Sequence, residues 1–126
     1  MDQSSKIKMQ NKLTELEYEV TQKGATEPPF SHKGFDKDTK FFVCVCCSSV
    51  LFRATEKFES GSGWPSFSSP YSSTALSEHS DISFGMIRTE VKCNCCGAHL
   101  GHVFEDGPKP TGLRYCINGV AIKGTK

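Results

Sequence analysis

Seven cysteines in 126 residues restrict this chain more than any other feature. Six fall into two clusters of identical spacing, Cys44-Val45-Cys46-Cys47 and Cys93-Asn94-Cys95-Cys96, and Cys116 stands alone downstream. In each cluster the outer pair has a two-residue spacer. Such a spacer lets both sulfurs of one turn reach the same ion, and tetrahedral zinc takes four ligands of this kind. Cys44, Cys47, Cys93 and Cys96 are therefore the expected metal set. The echo continues past the cysteines, since Leu51 and Leu100 each lie four residues after the last cysteine of their cluster. Two knuckles facing one another are implied. The long insert between them means that the metal staples distant parts of the fold. Cys46 and Cys95 sit inside the spacers, where a thiol beside a ligand usually points elsewhere, and they are left outside the set. A glycine after the second cysteine suits the left-handed backbone that closes such a turn. Gly97 meets this requirement; Ser48, its counterpart, would be strained there. The competing reading is a group of buried thiols or a redox pair.

The chain fits one domain, and its hydrophobic content of 37% allows only a modest core that a structural metal would reinforce. Net charge is +1, with Lys and Arg dispersed, so no clustered basic face for a nucleic acid is expected. No run approaches the ~20 apolar residues of a membrane span. The opening Met1-Asp2-Gln3-Ser4-Ser5-Lys6 lacks the apolar core of a secretory signal. A cytoplasmic, reducing location is expected, where cysteines serve metals or catalysis rather than disulfides.

Along the chain, residues 1–12 are polar and read as a flexible N-terminal arm before a single domain over 13–126. Thr14-Glu15-Leu16-Glu17 carries a capping box, with Leu13 and Tyr18 placed as a hydrophobic staple. A short helix over about 14–22 is predicted, ended by Lys23-Gly24. Pro28-Pro29 then imposes an extended segment. The remainder reads mostly as short β strands: 41–43 into the first cluster, 50–52 out of it, 87–92 into the second, and one near 113–122. Residues 66–83 are Ser-rich and read as irregular.

If the last segment is a strand, Arg114, Cys116 and Asn118 share one face, over an apolar underside of Leu113, Tyr115 and Ile117. A cation beside a thiol raises its thiolate fraction and makes a nucleophile. Taken alone, Cys116 reads better as a small buried hydrophobe in a strand. His99 and His102, with Gly101 between, can share one side of a bent segment and serve as proton donors near neutral pH. Alternatively one of them replaces a cysteine on zinc, or both are surface residues. Asp106 either orients one of them or is an exposed loop carboxylate. Trp64, the only Trp, lies in a Gly-rich loop and forms either a pocket wall or core.

Five ordered motifs resemble the B-type methionine sulfoxide reductases: Thr26-Glu27-Pro28-Pro29-Phe30, Gly63-Trp64-Pro65-Ser66-Phe67, Gly97-Ala98-His99-Leu100-Gly101-His102-Val103-Phe104, Asp106-Gly107-Pro108 and Gly112-Leu113-Arg114-Tyr115-Cys116-Ile117-Asn118. With both cysteine pairs, the resemblance runs from about residue 13 to 122. It implies a mainly β fold of two antiparallel sheets with short N-terminal helices and zinc-stapled cysteine knuckles. It implies reduction of the R epimer of methionine sulfoxide, mainly in oxidised proteins or peptides. Cys116 becomes the nucleophile and passes through a sulfenic acid. His102, assisted by His99, donates the proton; Trp64 receives the S-methyl group; Arg114 and Asn118 complete the pocket. Zinc on Cys44, Cys47, Cys93 and Cys96 is structural and lies on the far side of the domain from the pocket.

Many relatives of this type carry a resolving cysteine in Ser-Gly-Cys-Gly-Trp, whereas this chain reads Ser60-Gly61-Ser62-Gly63-Trp64. A one-cysteine enzyme is expected, restored by an external thiol such as thioredoxin, glutathione or glutaredoxin, and acting as a monomer. The alternative reading is a zinc-stapled binding module, which gives no reason for Cys116, the histidines and Trp64 to occur together.

Overall fold

The computed structural model describes residues 13–83 and 85–126. The expected arm over 1–12 lies outside the described residues. Helix α1 (Glu15–Lys23) begins where the capping box places it. The Thr14 hydroxyl accepts the Glu17 N–H at 3.2 Å, and the Glu17 carboxylate accepts the Thr14 N–H at 2.9 Å. Gly24, at φ 72°, ends the helix in the left-handed conformation that a residue without a Cβ adopts freely. Val20 and Thr21 turn inward, and Leu13 and Tyr18 pack against the core from the helix start. Among the described residues α1 is the one α-helix; the single-turn 3-10 helices at Ala54–Glu56 and Gly119–Ala121 are the other helical pieces.

Among the described residues, nine strands form two antiparallel sheets. The smaller contains β1 (Phe41–Cys44), β2 (Val50–Arg53) and β9 (Ile122–Thr125) in the order β2-β1-β9. The larger contains β3 (Lys57–Phe58), β4 (Ser66–Phe67), β5 (Leu76–Ser83), β6 (Met86–Cys93), β7 (His99–Phe104) and β8 (Arg114–Ile117) in the order β3-β4-β8-β7-β6-β5. The sheets meet through aromatic rings. Phe52 stacks on Phe67 at 4.1 Å between centroids, Phe42 meets Phe67 edge-on at 5.1 Å, and Tyr115 closes the group. Such offset and edge contacts add to the stabilisation from burial.

Residues 66–83 are not irregular as the sequence suggested: β4 and the eight-residue β5 lie there. Strand β5 (Leu-Ser-Glu-His-Ser-Asp-Ile-Ser) is an edge strand with residues exposed on both faces, so no alternation of apolar and polar residues marks it.

Directly paired residues of an antiparallel ladder share a face. Ser66 pairs with Cys116, Cys116 with His102, and His102 with Glu90. Arg88 lies on the same face as Glu90, two residues away, and pairs with Asp81. One face of the large sheet thus carries the polar, chemically capable side chains. The other carries Phe67, Tyr115, Ile117 and Val91 into the core.

Candidate active site and metal centre

The two knuckles are built alike. Cys44 ends β1 and Cys93 ends β6. The Ser48 N–H returns to the Cys44 carbonyl and the Gly97 N–H to the Cys93 carbonyl, both at 2.8 Å. All four sulfurs of Cys44, Cys47, Cys93 and Cys96 lie within 4.8 Å of one another, with Cys44–Cys96 and Cys47–Cys93 at 3.6 Å. A tetrahedron with zinc–sulfur bonds near 2.3 Å has edges of about 3.8 Å. Donor chemistry and spacing therefore fit one tetrahedral soft-ligand ion. Gly97 takes φ 79°, and Ser48 is forced to φ 65°. Replacing Ser48 with glycine is expected to stabilise the metal-loaded protein by about 0.5–1 kcal/mol, read as a rise in urea midpoint at constant slope. A lower midpoint would show that the serine is not strained.

Cys46 and Cys95 do not join the tetrahedral four. Cys46 is buried and accepts a hydrogen bond from Gln22 Nε2 at 3.4 Å, while Cys95 is exposed. Cys93 lies three residues along β6 from Glu90, two strands from Cys116. Standard strand spacings put Cys93 about 14 Å from the lone cysteine.

Cys116, Trp64, His102 and Asn118 do come together. They line one cavity of about 100 Å³, with Gly101, Phe104, Thr26 and Arg88 completing the wall. His99 lines an adjoining cavity of about 300 Å³, which shares Thr26, Arg88 and His102 with the first. Residues three apart on a regular strand face opposite ways, yet these imidazoles are 5.6 Å apart. The cause is a bulge: Gly101 pairs with Val91 and His99 with Lys92, leaving Leu100 as the extra residue. Gly101 also permits the close approach of β7 to β8, since a Cβ there would collide with the Cys116 carbonyl oxygen.

Each imidazole is held by a carboxylate absent from the sequence-based site. His99 Nδ1–H donates to Glu90 Oε2 at 2.6 Å, and His102 Nε2–H donates to Asp81 Oδ2 at 2.7 Å. Burial pushes the His99 ring toward its neutral form, with Glu90 opposing this. Asp106 orients neither imidazole. It takes both Arg114 Nε and Nη2, at 2.9 and 3.1 Å, and the Arg114 guanidinium also covers the Phe104 ring at 4.6 Å. Arg114 therefore faces a neighbouring cleft that it shares with Ser62 and Asp106.

The expectation of a thiolate promoted by Arg114 needs correction. Burial raises the Cys116 thiol above its ordinary range, and this outweighs the opposing pull of Arg114 and of the Ser62 hydroxyl. Arg114 is already committed to Asp106. The thiolate fraction at pH 7 is consequently small and grows about tenfold per pH unit. In metal-loaded protein, iodoacetamide at pH 7 is expected to label the exposed Cys95 before Cys116. Cys116 labelling should then accelerate through pH 9, as read by peptide mass spectrometry. Faster alkylation of Cys116 than of free cysteine at pH 7 would contradict this balance.

Glu27 ties the proline segment to the cavity. Its carbonyl accepts the Trp64 indole N–H at 2.9 Å and its N–H donates to Asn118 Oδ1 at 2.9 Å. Its buried carboxylate accepts the Val120 N–H at 3.0 Å. Asn118 Nδ2 in turn donates to the Leu100 carbonyl at 3.0 Å, so Asn118 and the Trp64 wall share one network with the β7 bulge. Asp81, Arg88, Glu90 and Glu27 are the site residues that sequence reasoning missed. The signals on offer were the alternation of Arg88 and Glu90 along 87–92 and the place of Glu27 in the motif over 26–30; nothing marked Asp81.

The SelR domain profile matches residues 13–126. A protein of Acinetobacter baylyi named peptide methionine sulfoxide reductase MsrB is 50% identical over 115 residues, covering 90% of this chain and 83% of that protein. Its namesake from Thioalkalivibrio sulfidiphilus is 52% identical over 115 residues, covering 90% and 84%. One from Burkholderia mallei is 52% identical over 116 residues, covering 90% and 81%. Matching over nearly its whole length, the chain belongs to the SelR domain family, that of the B-type methionine sulfoxide reductases.

Proposed function

We propose that residues 13–126 form a single domain that reduces the R epimer of methionine sulfoxide, in oxidised proteins and peptides, to methionine. The observation that carries this reading is the shared cavity of Cys116, His102, Asn118 and Trp64 in a chain about 50% identical to proteins named for this activity. Trp64 and Phe104 supply apolar walls for the S-methyl group and side chain. Trp64 is fixed by its indole bond to Glu27, so it presents one surface against which the two sulfoxide epimers differ.

Cys116 attacks the sulfoxide sulfur as a thiolate, and the imidazole of His102 gives a proton to the sulfoxide oxygen. The protonated oxygen then passes to Cys116 Sγ as the sulfur–oxygen bond of the substrate and the transient sulfur–sulfur bond break, so that methionine departs and Cys116 is left as a sulfenic acid. Methionine sulfoxide gains two electrons and the cysteine loses two. Asn118 and Arg114 complete the surroundings of Cys116, and His99 supports His102 from the adjoining cavity. A first external thiol displaces the oxygen as water and forms a mixed disulfide with Cys116. A second thiol frees the cysteine and leaves as disulfide. Thioredoxin, glutathione or glutaredoxin fits this role. Ser62 cannot form a disulfide, and the other cysteines lie in or beside the knuckles, so Cys116 works as the only redox cysteine.

Cys44, Cys47, Cys93 and Cys96 hold a structural zinc. No helix among the described residues is long and apolar enough to cross a membrane. A monomer in the cytoplasm, with no nucleic-acid partner, fits the dispersed charge.

A single-turnover assay without reductant tests the reading. About one methionine per protein from the peptide R-sulfoxide, none from the S epimer, and one thiol lost are expected. Two thiols lost would mean that a disulfide forms. No methionine from either epimer would end the assignment.

A further inference from the structure

We propose that Asp81 and Arg88 form a positioning pair for His102, in which Asp81 holds the imidazole by its Nε2 side while Arg88 holds the same carboxylate in place. This rests on the reading of His102 as the proton donor. The pair explains what the outermost strand contributes to the site. Strand β5 is an edge strand with mostly exposed or half-exposed residues, yet Asp81 reaches across β6 to a histidine on β7. One oxygen, Asp81 Oδ2, serves both partners: His102 Nε2 at 2.7 Å and Arg88 Nη2 at 3.3 Å. Arg88 Nη2 also donates to Ser83 Oγ at 3.3 Å, which fixes the guanidinium on the hairpin. Arg88 lines both the Cys116 cavity and the His99 cavity, so the pair closes the wall between His102 and the outer strand.

The chemistry follows from the bonded atom. With Nε2–H given to Asp81, Nδ1 is the ring nitrogen left to serve the sulfoxide oxygen. Arg88 Nη2 bonds the same carboxylate oxygen and Ser83 Oγ, so it holds Asp81 where the imidazole needs it. His102 also stands near other ionisable groups: Glu90 on β6, which is committed to His99; His99 on its own strand; and Cys116 on β8. None of these touches the Asp81 carboxylate. Removing Asp81 should therefore release the Nε2–H tautomer, and removing Arg88 should loosen it, outcomes that a general loss of packing would not produce. Consistently, contact with His102, together with Ser83 and Arg88, holds Asp81 below the usual carboxylate range.

The test combines ring NMR with rate. His102 is followed by heteronuclear NMR in a Cys116→Ser background, for the parent, Asp81→Ala and Arg88→Met. The parent is expected to carry its ring proton on Nε2, Asp81→Ala to lose that preference, and Arg88→Met to weaken it. Single-turnover rates on the peptide R-sulfoxide, measured with Cys116 present, should fall roughly tenfold or more in Asp81→Ala and by less in Arg88→Met. A tautomer and a rate unchanged in Asp81→Ala overturn the pair. If a variant fails to fold, the parent alone decides, since a neutral His102 carrying its proton on Nδ1 would refute the Asp81 bond. A tautomer set by Asp81 in a protein that forms no methionine would keep the pair and remove the substrate reading.

Discussion

Stripping the metal from this protein is expected to lower its Tm by roughly 15 °C or more. Four thiolates on zinc supply folding free energy directly, of order ten kcal/mol in the smallest zinc domains. Even about 4 kcal/mol of that would produce such a shift in a domain of this size. The leverage comes from where the knuckles sit. Cys44 closes β1 of the three-stranded sheet and Cys93 closes β6 of the six-stranded sheet. An ion held by these cysteines would therefore tie the two sheets together at one edge of a core built on Phe42, Phe52 and Phe67. Without it, four sulfurs remain crowded within 4.8 Å, largely cut off from water. Cys93→Ser should reproduce the loss. Below the lowered Tm the single turnover should persist, because Cys93 lies about 14 Å from Cys116. Calorimetry on protein shown by elemental analysis to be metal-free decides the matter, and an unchanged Tm would remove the structural role.

Features encoded by local spacing were readable from the sequence alone. The capping box of α1 and the paired knuckles each depend on residues a few positions apart and are present as read, whereas the strand expected near 113–122 is β8 only over Arg114–Ile117, followed by the 3-10 helix at Gly119–Ala121 and by β9. What escaped was set by register and burial. His99 and His102 share a face because of one extra residue in β7, which only the pairing with β6 reveals. Asp106 looked placed to serve a histidine because it is close in sequence. The antiparallel return of β8 instead delivers Arg114 to it, while Asp81 arrives from two strands away. Strand β5 was invisible because a wet edge strand has no buried face to write a pattern. Arg114 suggested an activated thiol, but the sequence does not state how deeply Cys116 is buried, and burial decides the sign.

Cys116→Ser is expected to abolish methionine formation, by at least about a thousandfold, while leaving fold, metal content and substrate binding in place. Serine has nearly the size of cysteine and can keep the polar contacts that the Cys116 thiol makes with Ser62 and Arg114, while most of the bonds that hold the site together do not involve it. Those bonds run through Glu27, Asn118, Trp64 and the histidine–carboxylate pairs. The hydroxyl cannot take up and later release the oxygen atom as a sulfenic acid does. Trp64, the only Trp and a wall of the cavity, makes binding directly visible. Its fluorescence should respond to the peptide R-sulfoxide in the Cys116→Ser protein much as in the parent, and more weakly to the S epimer. That combination separates a lost nucleophile from a collapsed pocket. Turnover that survives the substitution would take Cys116 out of the reaction. Lost binding together with lost turnover would make its role one of packing rather than chemistry.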